Sequence, residues 1–413
     1  MRLKLTLPLL PLALSLLPLA ASAQSLRVCS GAVTIGVPAT SADTLRQSGG
    51  TLTIMGADYS IADLDSIVYS TADVQPRTVF VDYDGTAARV LLSADVAPYL
   101  SVSVSGADVS IEAADDLAEE VTYQLAGTSA DGSFLHVGSY KCTLALAGLS
   151  LTNTRGIAVD VQNGKRINVI LADGTTNVLK DAVGGEGRAC LNVKGHVELA
   201  GSGTLTLTGQ SRHALATGEY LLLAGDFKGS ISILGAAGDG IHAEQYFDMR
   251  SGTITIAGCA GDGIDLETTN DPEEEYNGQV FISGGSVSID LGAAEDVKGI
   301  KCDSLMTISG GTVNVNGSGD GVKGIKTSGN LLVNQSSGSA PTITINVTGT
   351  TYHKDLEDES KTRGIKVDGD FTFDGGNINI SATGKKAKAI AVDGTYYYKS
   401  GTINCAVDAT NIG

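Results

Sequence analysis

Tryptophan is absent from the 413-residue sequence, aromatic residues make up 5% of it, and proline fills only 8 positions. Without indole rings, ligand recognition by broad aromatic platforms has little to draw on, and the burden shifts to charge and hydrogen bonds. After residue 20 no stretch approaches the roughly 20 apolar residues that a spanning helix needs, so no membrane span is expected. Cysteine is scarce, with 6 residues and no Cys-x-x-Cys pair, which gives no cysteine pattern for zinc. Helical spacing of apolar residues is nowhere evident. Positive charge is in deficit, with 28 Lys and Arg against 46 Asp and Glu for a formal charge of -18. Such a balance argues against nucleic acid as a partner and is compatible with bound divalent cations.

The first 23 residues read as a signal peptide. Arg2 and Lys4 precede an apolar run from Leu5 to Ala20, broken by Pro8, Pro11 and Pro18, and the small-residue site Ala21-Ser22-Ala23 follows. The mature chain is expected to begin near Gln24 and to be exported to the extracellular space, the cell surface or the periplasm. Losing Arg2 and Lys4 takes its charge to about -20. A chain of this length does not need disulfide staples to hold a core, so most cysteines are expected as buried thiols, Cys302 and Cys405 among them.

From about residue 155 a short unit repeats. It reads Arg-Gly-Ile-Ala-Val-Asp at 155–160, Asp-Gly-Ile-His-Ala-Glu at 239–244, Asp-Gly-Ile-Asp-Leu-Glu at 262–267 and Lys-Gly-Ile-Lys-Cys-Asp at 298–303. Further copies stand at 323–328, 363–368 and 388–393, and Leu191 and Leu215 mark degenerate ones. The isoleucines are 23 residues apart from Ile241 to Ile264 and 25 apart from Ile300 to Ile325 and from Ile365 to Ile390; the gaps of 36 and 40 contain insertions. Each unit carries two more alternating segments, such as Val280-Phe281-Ile282 and, after glycines, Gly284-Gly285-Ser286-Val287-Ser288-Ile289. Period-two alternation is strand periodicity, and the glycines suit tight or positive-φ turns. Three short strands per unit predict an all-β, right-handed parallel β-helix with three strands per coil, since a propeller blade needs four strands and about 40 residues. Residues 126–413 are assigned to it, and residues 24–125, out of register, to a small β-rich N-terminal module or cap. Gly413 follows soon after a rung, so the other end is expected to lack a cap.

Stacking turns repeated positions into ladders with rungs roughly 4.8 Å apart. With each isoleucine inward, the position after it faces outward and reads His242, Asp265, Lys301, Lys326, Lys366, while a second outward column reads Glu244, Glu267, Asp303, Ser328, Asp368, Asp393. Two positions before the isoleucine stand Asp239, Asp262, Lys298, Lys323, Arg363 and Lys388. Two readings compete for this face. It is either a self-neutralising charge ladder, Lys301 with Asp303 and Lys366 with Asp368, or the floor of a groove for an anionic polymer. In the second reading Asp239, Glu244, Asp262, Asp265 and Glu267, with Asp271 from the following insertion, supply oxygens to calcium, which takes six to eight of them. Lys301, Lys326, Lys366 and Arg363 meet the polymer's carboxylates, and Tyr276 and Tyr352, in the two insertions, form walls.

The stacked Asp-Gly-Ile and Lys-Gly-Ile-Lys units with their Ser-Gly-Gly-Thr-Val turns resemble the carbohydrate-binding β-helix family related to pectate lyases, over roughly residues 120–413. That resemblance implies a right-handed β-helix, bound calcium, and binding of plant cell-wall polysaccharide such as cellulose or polygalacturonate without established cleavage. Of the family's carboxylates, Asp239 and Asp262 match. The expected function is non-catalytic, calcium-dependent binding of an acidic polysaccharide. One alternative is a polysaccharide lyase with Arg363 as the base, although lysines share its column; another is a surface adhesin or passive structural β-helix.

Overall fold

In the computed structural model of the protein, residues 24–335, 338–355 and 358–408 are described; the signal peptide read at residues 1–23 and the chain end at Gly413 lie outside them. The described chain is all-β. Its helical content is three short 3-10 turns, Ala39–Thr44, Ile61–Asp63 and Ala97–Tyr99, and no helix is long and apolar enough to cross a membrane.

The repeat folds into three ladders of parallel strands. The first stacks Ala189–Val193, His213–Thr217, Ile241–Glu244, Ile264–Glu267, Lys298–Cys302, Lys323–Thr327, Arg363–Val367 and Lys388–Val392. The isoleucine register expected from the sequence holds from rung to rung: Leu215 pairs with Ile241, Ile241 with Ile264, Ile264 with Ile300, Ile300 with Ile325, Ile325 with Ile365 and Ile365 with Ile390. The second ladder passes through Tyr246–Met249 and Gln279–Ile282, the third through Thr253–Ala257 and Ser286–Asp290, also in parallel. Alternation decides which side chains are buried: in Thr253–Ala257, Ile254 and Ile256 are inside while Thr253 and Thr255 are exposed.

Two kinds of glycine keep the rungs close, for different reasons. Those opening the third ladder, including Gly252, Gly285 and Gly311, have φ of 80°, 76° and 72° and turn the chain through left-handed backbone. Those before the isoleucines are not turn residues, contrary to the reading from sequence. A Cβ on Gly240, Gly263, Gly299 or Gly324 would stand 2.4–2.7 Å from the carbonyl oxygen of the glycine on the next rung, so the glycine is required by close backbone approach. Ala389 occupies this position on the last described rung, and Cys190 and Ala214 hold it on the two rungs before Gly240.

Residues 24–125 form mainly antiparallel pairs, Ser25–Ser30 with Val33–Pro38 and Thr78–Asp84 with Ala87–Ser93 among them. They continue into the ladders, because Thr78–Asp84 pairs in parallel with Val121–Ser129 and Asp108–Ala113 with Ser133–Val137. Leu26, Val79, Ile254 and Ile365 belong to one buried cluster. At the far end, Tyr396 and Tyr398 keep the register of the buried Phe371 and Phe373, yet they are 43% and 57% exposed because no described strand covers them. Cys405 is exposed for the same reason, correcting its interior placement; Cys142, Cys190, Cys259 and Cys302 are buried free thiols.

Candidate functional site

The outward face of the first ladder gathers the charged side chains. Each Asp-Gly-Ile aspartate spends one oxygen on the backbone of the next rung: Asp239 Oδ1 accepts from the Asp262 amide at 2.7 Å, and Asp262 Oδ1 from the Lys298 amide at 2.7 Å. Those bonds fix both carboxylates at the rung edge and leave their other oxygens free to converge. Asp239, Asp262 and Asp265 bring one ligand atom each within 4.8 Å of one another, and Asp239 does the same with His213 and His242.

The geometry separates the residues expected to bind metal. Asp239, Asp262 and Asp265 meet. Glu244 turns to Arg188, 2.5 Å away, and Glu267 lies 3.7 Å from Lys301 and 4.0 Å from His242 Nε2. Asp271 stays in its loop, where it accepts from the Glu273 amide at 3.0 Å. His242 and Asp265, expected to face solvent, point away from the core but are only 6% and 7% exposed, covered by their neighbours on the ladder. Burial dominates their electrostatics. It pushes Asp262 up to about 6, with Asp265 and Asp239 adding to the rise against the opposing pull of Lys298. At His242 it opposes protonation, but Asp239 and Asp265 outweigh it and hold the imidazole up at about 9. Burial keeps His213 below the usual histidine value. Asp239 stays well below the carboxylate range although burial works against it, because His213 and His242 stabilise its charge.

Beyond this acidic end the lysines are paired along the ladder. Lys301 reaches back one rung to Asp265 at 2.8 Å, closer than to Asp303 at 4.0 Å, its expected partner. Lys366 sits 2.6 Å from Asp368 and 2.7 Å from Asp393, and Lys326 also bonds Asp368. Side chains of Lys326 and Lys366 keep 19% of their surface exposed. Arg363 is buried, and its Nη1 donates to the carbonyls of Thr362 at 2.7 Å and Lys386 at 3.1 Å. Those two bonds engage Nη1 of the guanidinium that the sequence reading raised as a lyase base.

The two insertions do not flank the face symmetrically. The first folds toward the second ladder: Gln245 Nε2 donates to Glu274 and to the Glu275 carbonyl, and Tyr276 packs edge-on against Tyr246 and Phe281. Tyr276 therefore extends an outer aromatic row in which Tyr220 stacks on Tyr246 at 4.6 Å. The second forms the hairpin Thr351–His353 with Glu359–Lys361, while Leu356 and Glu357 lie outside the described residues. This hairpin carries Tyr352 beside Gly321. Ser360 accepts from Lys323 at 2.6 Å and donates to Asp296, and burial, with Lys298 nearby, pulls Lys323 down to about 8.

A family model for carbohydrate-binding domain-containing proteins matches residues 105–409. The chain belongs to that family. A curated relative of the same description, from Acetivibrio thermocellus, is 29% identical over 166 residues, which are 38% of this chain and 53% of the relative; the chain thus spans about half the length of the curated relative it matches. Among solved structures, the polysaccharide lyase-like protein from C. thermocellum, as its gadolinium derivative, superposes with a TM-score of 0.52 at 25% identity, covering 64% of this chain and 99% of that one. The family match contains the whole acidic cluster and the lysine row.

Sequence reasoning passed over His213 and Arg188 and did not count His242 as a ligand. The signal was present. Leu215 pairs with Ile241, so His213 stands two positions before the ladder residue in its degenerate copy, the place that Asp239 holds in the next.

Proposed function

We propose that this carbohydrate-binding family member binds an acidic polysaccharide of the plant cell wall without cleaving it, through a calcium ion held at the acidic end of the first ladder. The observation that carries this reading is the convergence of Asp239, Asp262 and Asp265 at one end of a row of part-exposed lysines. Three carboxylates crowded at a buried rung edge fit a hard cation, and burial together with Asp265 and Asp239 pushes Asp262 up to about 6, which a bound ion would oppose. Calcium wants six to eight oxygens, so positions beyond these three fall to water and to a uronate carboxylate of the ligand. Farther along, an ammonium has three N–H donors; Lys301 and Lys326 keep donors for further sugar carboxylates while bonded to their aspartates, whereas Lys366, bonded to Asp368, Asp393 and the Val367 carbonyl, contributes its charge. Tyr352, beside Gly321, comes from the hairpin next to this row, whereas Tyr276 packs on Tyr246 and Phe281 of the second ladder; Glu244, Glu267 and Asp271 belong to the surrounding acidic field. The ladders are read as a right-handed parallel β-helix over residues 126–413, behind an N-terminal module at 24–125, in a protein exported after loss of residues 1–23.

Calorimetric titration of the chain from Gln24 with oligogalacturonate, in calcium and again in chelator, tests this while absorbance follows unsaturated products. Calcium-dependent heat without new absorbance is the expected result. New absorbance establishes a lyase, and absence of binding in both conditions leaves the structural or adhesive role.

A further inference from the structure

The columns that fill the core elsewhere are bare on the last described rung. Phe371, Phe373, Ile378, Ile380 and Ala382 are at most 3% exposed. Their register partners one rung on are Tyr396, Tyr398, Ile403, Cys405 and Val407, of which Tyr396, Tyr398 and Val407 are 43%, 57% and 37% exposed and Cys405 is exposed as well. The backbone of these residues is aimed the same way. The Phe371 amide donates forward to the Thr395 carbonyl, so the amide of Tyr396, its partner in register, points past the last described rung. The Asn377 amide donates back to the Pro341 carbonyl, so the neighbouring Ile378 points forward, and with it Ile403. One edge therefore carries both the uncovered apolar side chains and a row of N–H and C=O groups without a partner strand among the described residues.

We propose that this end is the interface of a symmetric dimer, in which a second copy of the chain stacks end to end about a two-fold axis through the corner at Ser400 and Gly401. Such an axis runs the strand Tyr396–Val407 antiparallel to itself. Tyr396 then stands opposite Val407 and Tyr398 opposite Cys405. All four belong to inward columns and all four aim their backbone groups at the other copy, which is the condition for a hydrogen-bonded antiparallel pair. A slip of one residue would set inward positions against outward ones. The same axis returns the first-ladder strand Lys388–Val392 to itself in reverse, which brings the exposed Lys388 of one copy to the end where Asp393 of the other stands, its side chain 66% exposed. Tyr398 donates its hydroxyl to the Gly401 carbonyl of its own chain at 2.8 Å, so its ring can be covered without stranding a polar group. Head-to-tail stacking finds no matching surface, because the opposite end of the ladders is occupied by residues 24–125, with Thr78–Asp84 paired onto Val121–Ser129 and Leu100–Ser105 onto Asp108–Ala113. The assembly is a closed pair rather than a filament. The coil at 388–407 offers about 20 residues a side, the lower end of a standard interface, so the dimer is concentration-dependent.

Sedimentation velocity of the chain from Gln24 over a dilution series tests the interface. The expected result is a monomer–dimer equilibrium that Tyr396→Lys and Tyr398→Lys each weaken by about tenfold or more, since every substitution enters the dimer twice. The register has a readout of its own. In a hydrogen-bonded antiparallel pair the Cα atoms stand about 5.5 Å apart, within disulfide range, so mild oxidation of Tyr398→Cys is expected to join the introduced thiol to Cys405 of the second copy. The product is a reducible dimer band, absent from the unsubstituted chain and from the double variant Tyr398→Cys, Cys405→Ser. Hydrogen exchange needs no variant: residues 396–407, fast in the dilute monomer, slow as the concentration rises. A monomer at every accessible concentration, assemblies that grow beyond two copies, or a dimer that survives both lysine substitutions and gives no cross-linked band overturns the proposal and leaves this end to a different partner.

Discussion

At the scale of single residues, burial sets the chemistry of this protein more than charge count does. His136 is 2% exposed, packs on Tyr123 with ring centroids 4.4 Å apart and planes tilted by 40°, and faces the Ile111 carbonyl at 3.3 Å; burial lowers it from 6.5 to about 4. The unfolded chain therefore takes up a proton that the folded chain refuses. Stability is full above the unfolded value near 6.5 and falls as the pH drops toward the folded value near 4. Between pH 7 and about pH 4.5 this one group costs about 2–3 kcal/mol. Urea denaturation at both values, on the unsubstituted chain and on His136→Phe, is expected to show a smaller acid loss in the variant by about that amount; equal losses in the two proteins sink the assignment. Lysines show the converse, since charge pairing keeps them useful. Replacing Lys326 and Lys366 together with alanine strands Asp368, their shared partner, and is expected to weaken oligogalacturonate binding by about tenfold or more, read by calorimetry. Their identity was legible in the sequence. Their partners were not, because Lys301 reaches back a rung to Asp265 rather than along its own strand to Asp303.

Within the elements, the rung-to-rung contact of backbones is as demanding as the core. Adding a methyl at Gly299 places carbon 2.4 Å from the Gly324 carbonyl oxygen and 2.5 Å from Val315. Gly299→Ala is expected to destabilise by about 1–3 kcal/mol, the cost of overpacking a filled site, while Ala389→Gly on the last described rung changes stability by less than about 1 kcal/mol. Thermal and denaturant unfolding of both variants checks the contrast. The strands and their pairing were readable from the isoleucine column, because side chains alternate with period two and a repeated unit stacks like residue on like. The role of the adjacent glycine was not. A glycine in a sequence looks the same whether it supplies a positive φ, as Gly252 does at 80°, or merely makes room for a neighbouring carbonyl.

Across the whole molecule, each rung of the repeat leans chiefly on the rungs before and after it, so stability is a sum of neighbouring interfaces. Among the described residues the strand Tyr396–Val407 pairs on one side only, with Phe371–Ala382, and leaves Tyr396, Tyr397 and Tyr398 exposed. Hydrogen exchange is expected to be fastest among the ladder strands at 396–407 and slowest around Ile254 and Ile282, where rungs are stacked on both sides; uniform protection along the ladders contradicts this. The sequence by itself determined the all-β class, the phase of the repeat and the column in which each charged residue stands, because these follow from local alternation and from spacings of 23 to 25 residues. Only the tertiary structure decided which carboxylates meet, that His213 and His242 join Asp239, that Arg363 is spent on backbone carbonyls, and that the first insertion folds onto Tyr246 and Phe281. Those outcomes depend on how side chains reach across rungs about 4.8 Å apart and on how loops settle against neighbouring sides, and neither is fixed by the periodicity of the chain.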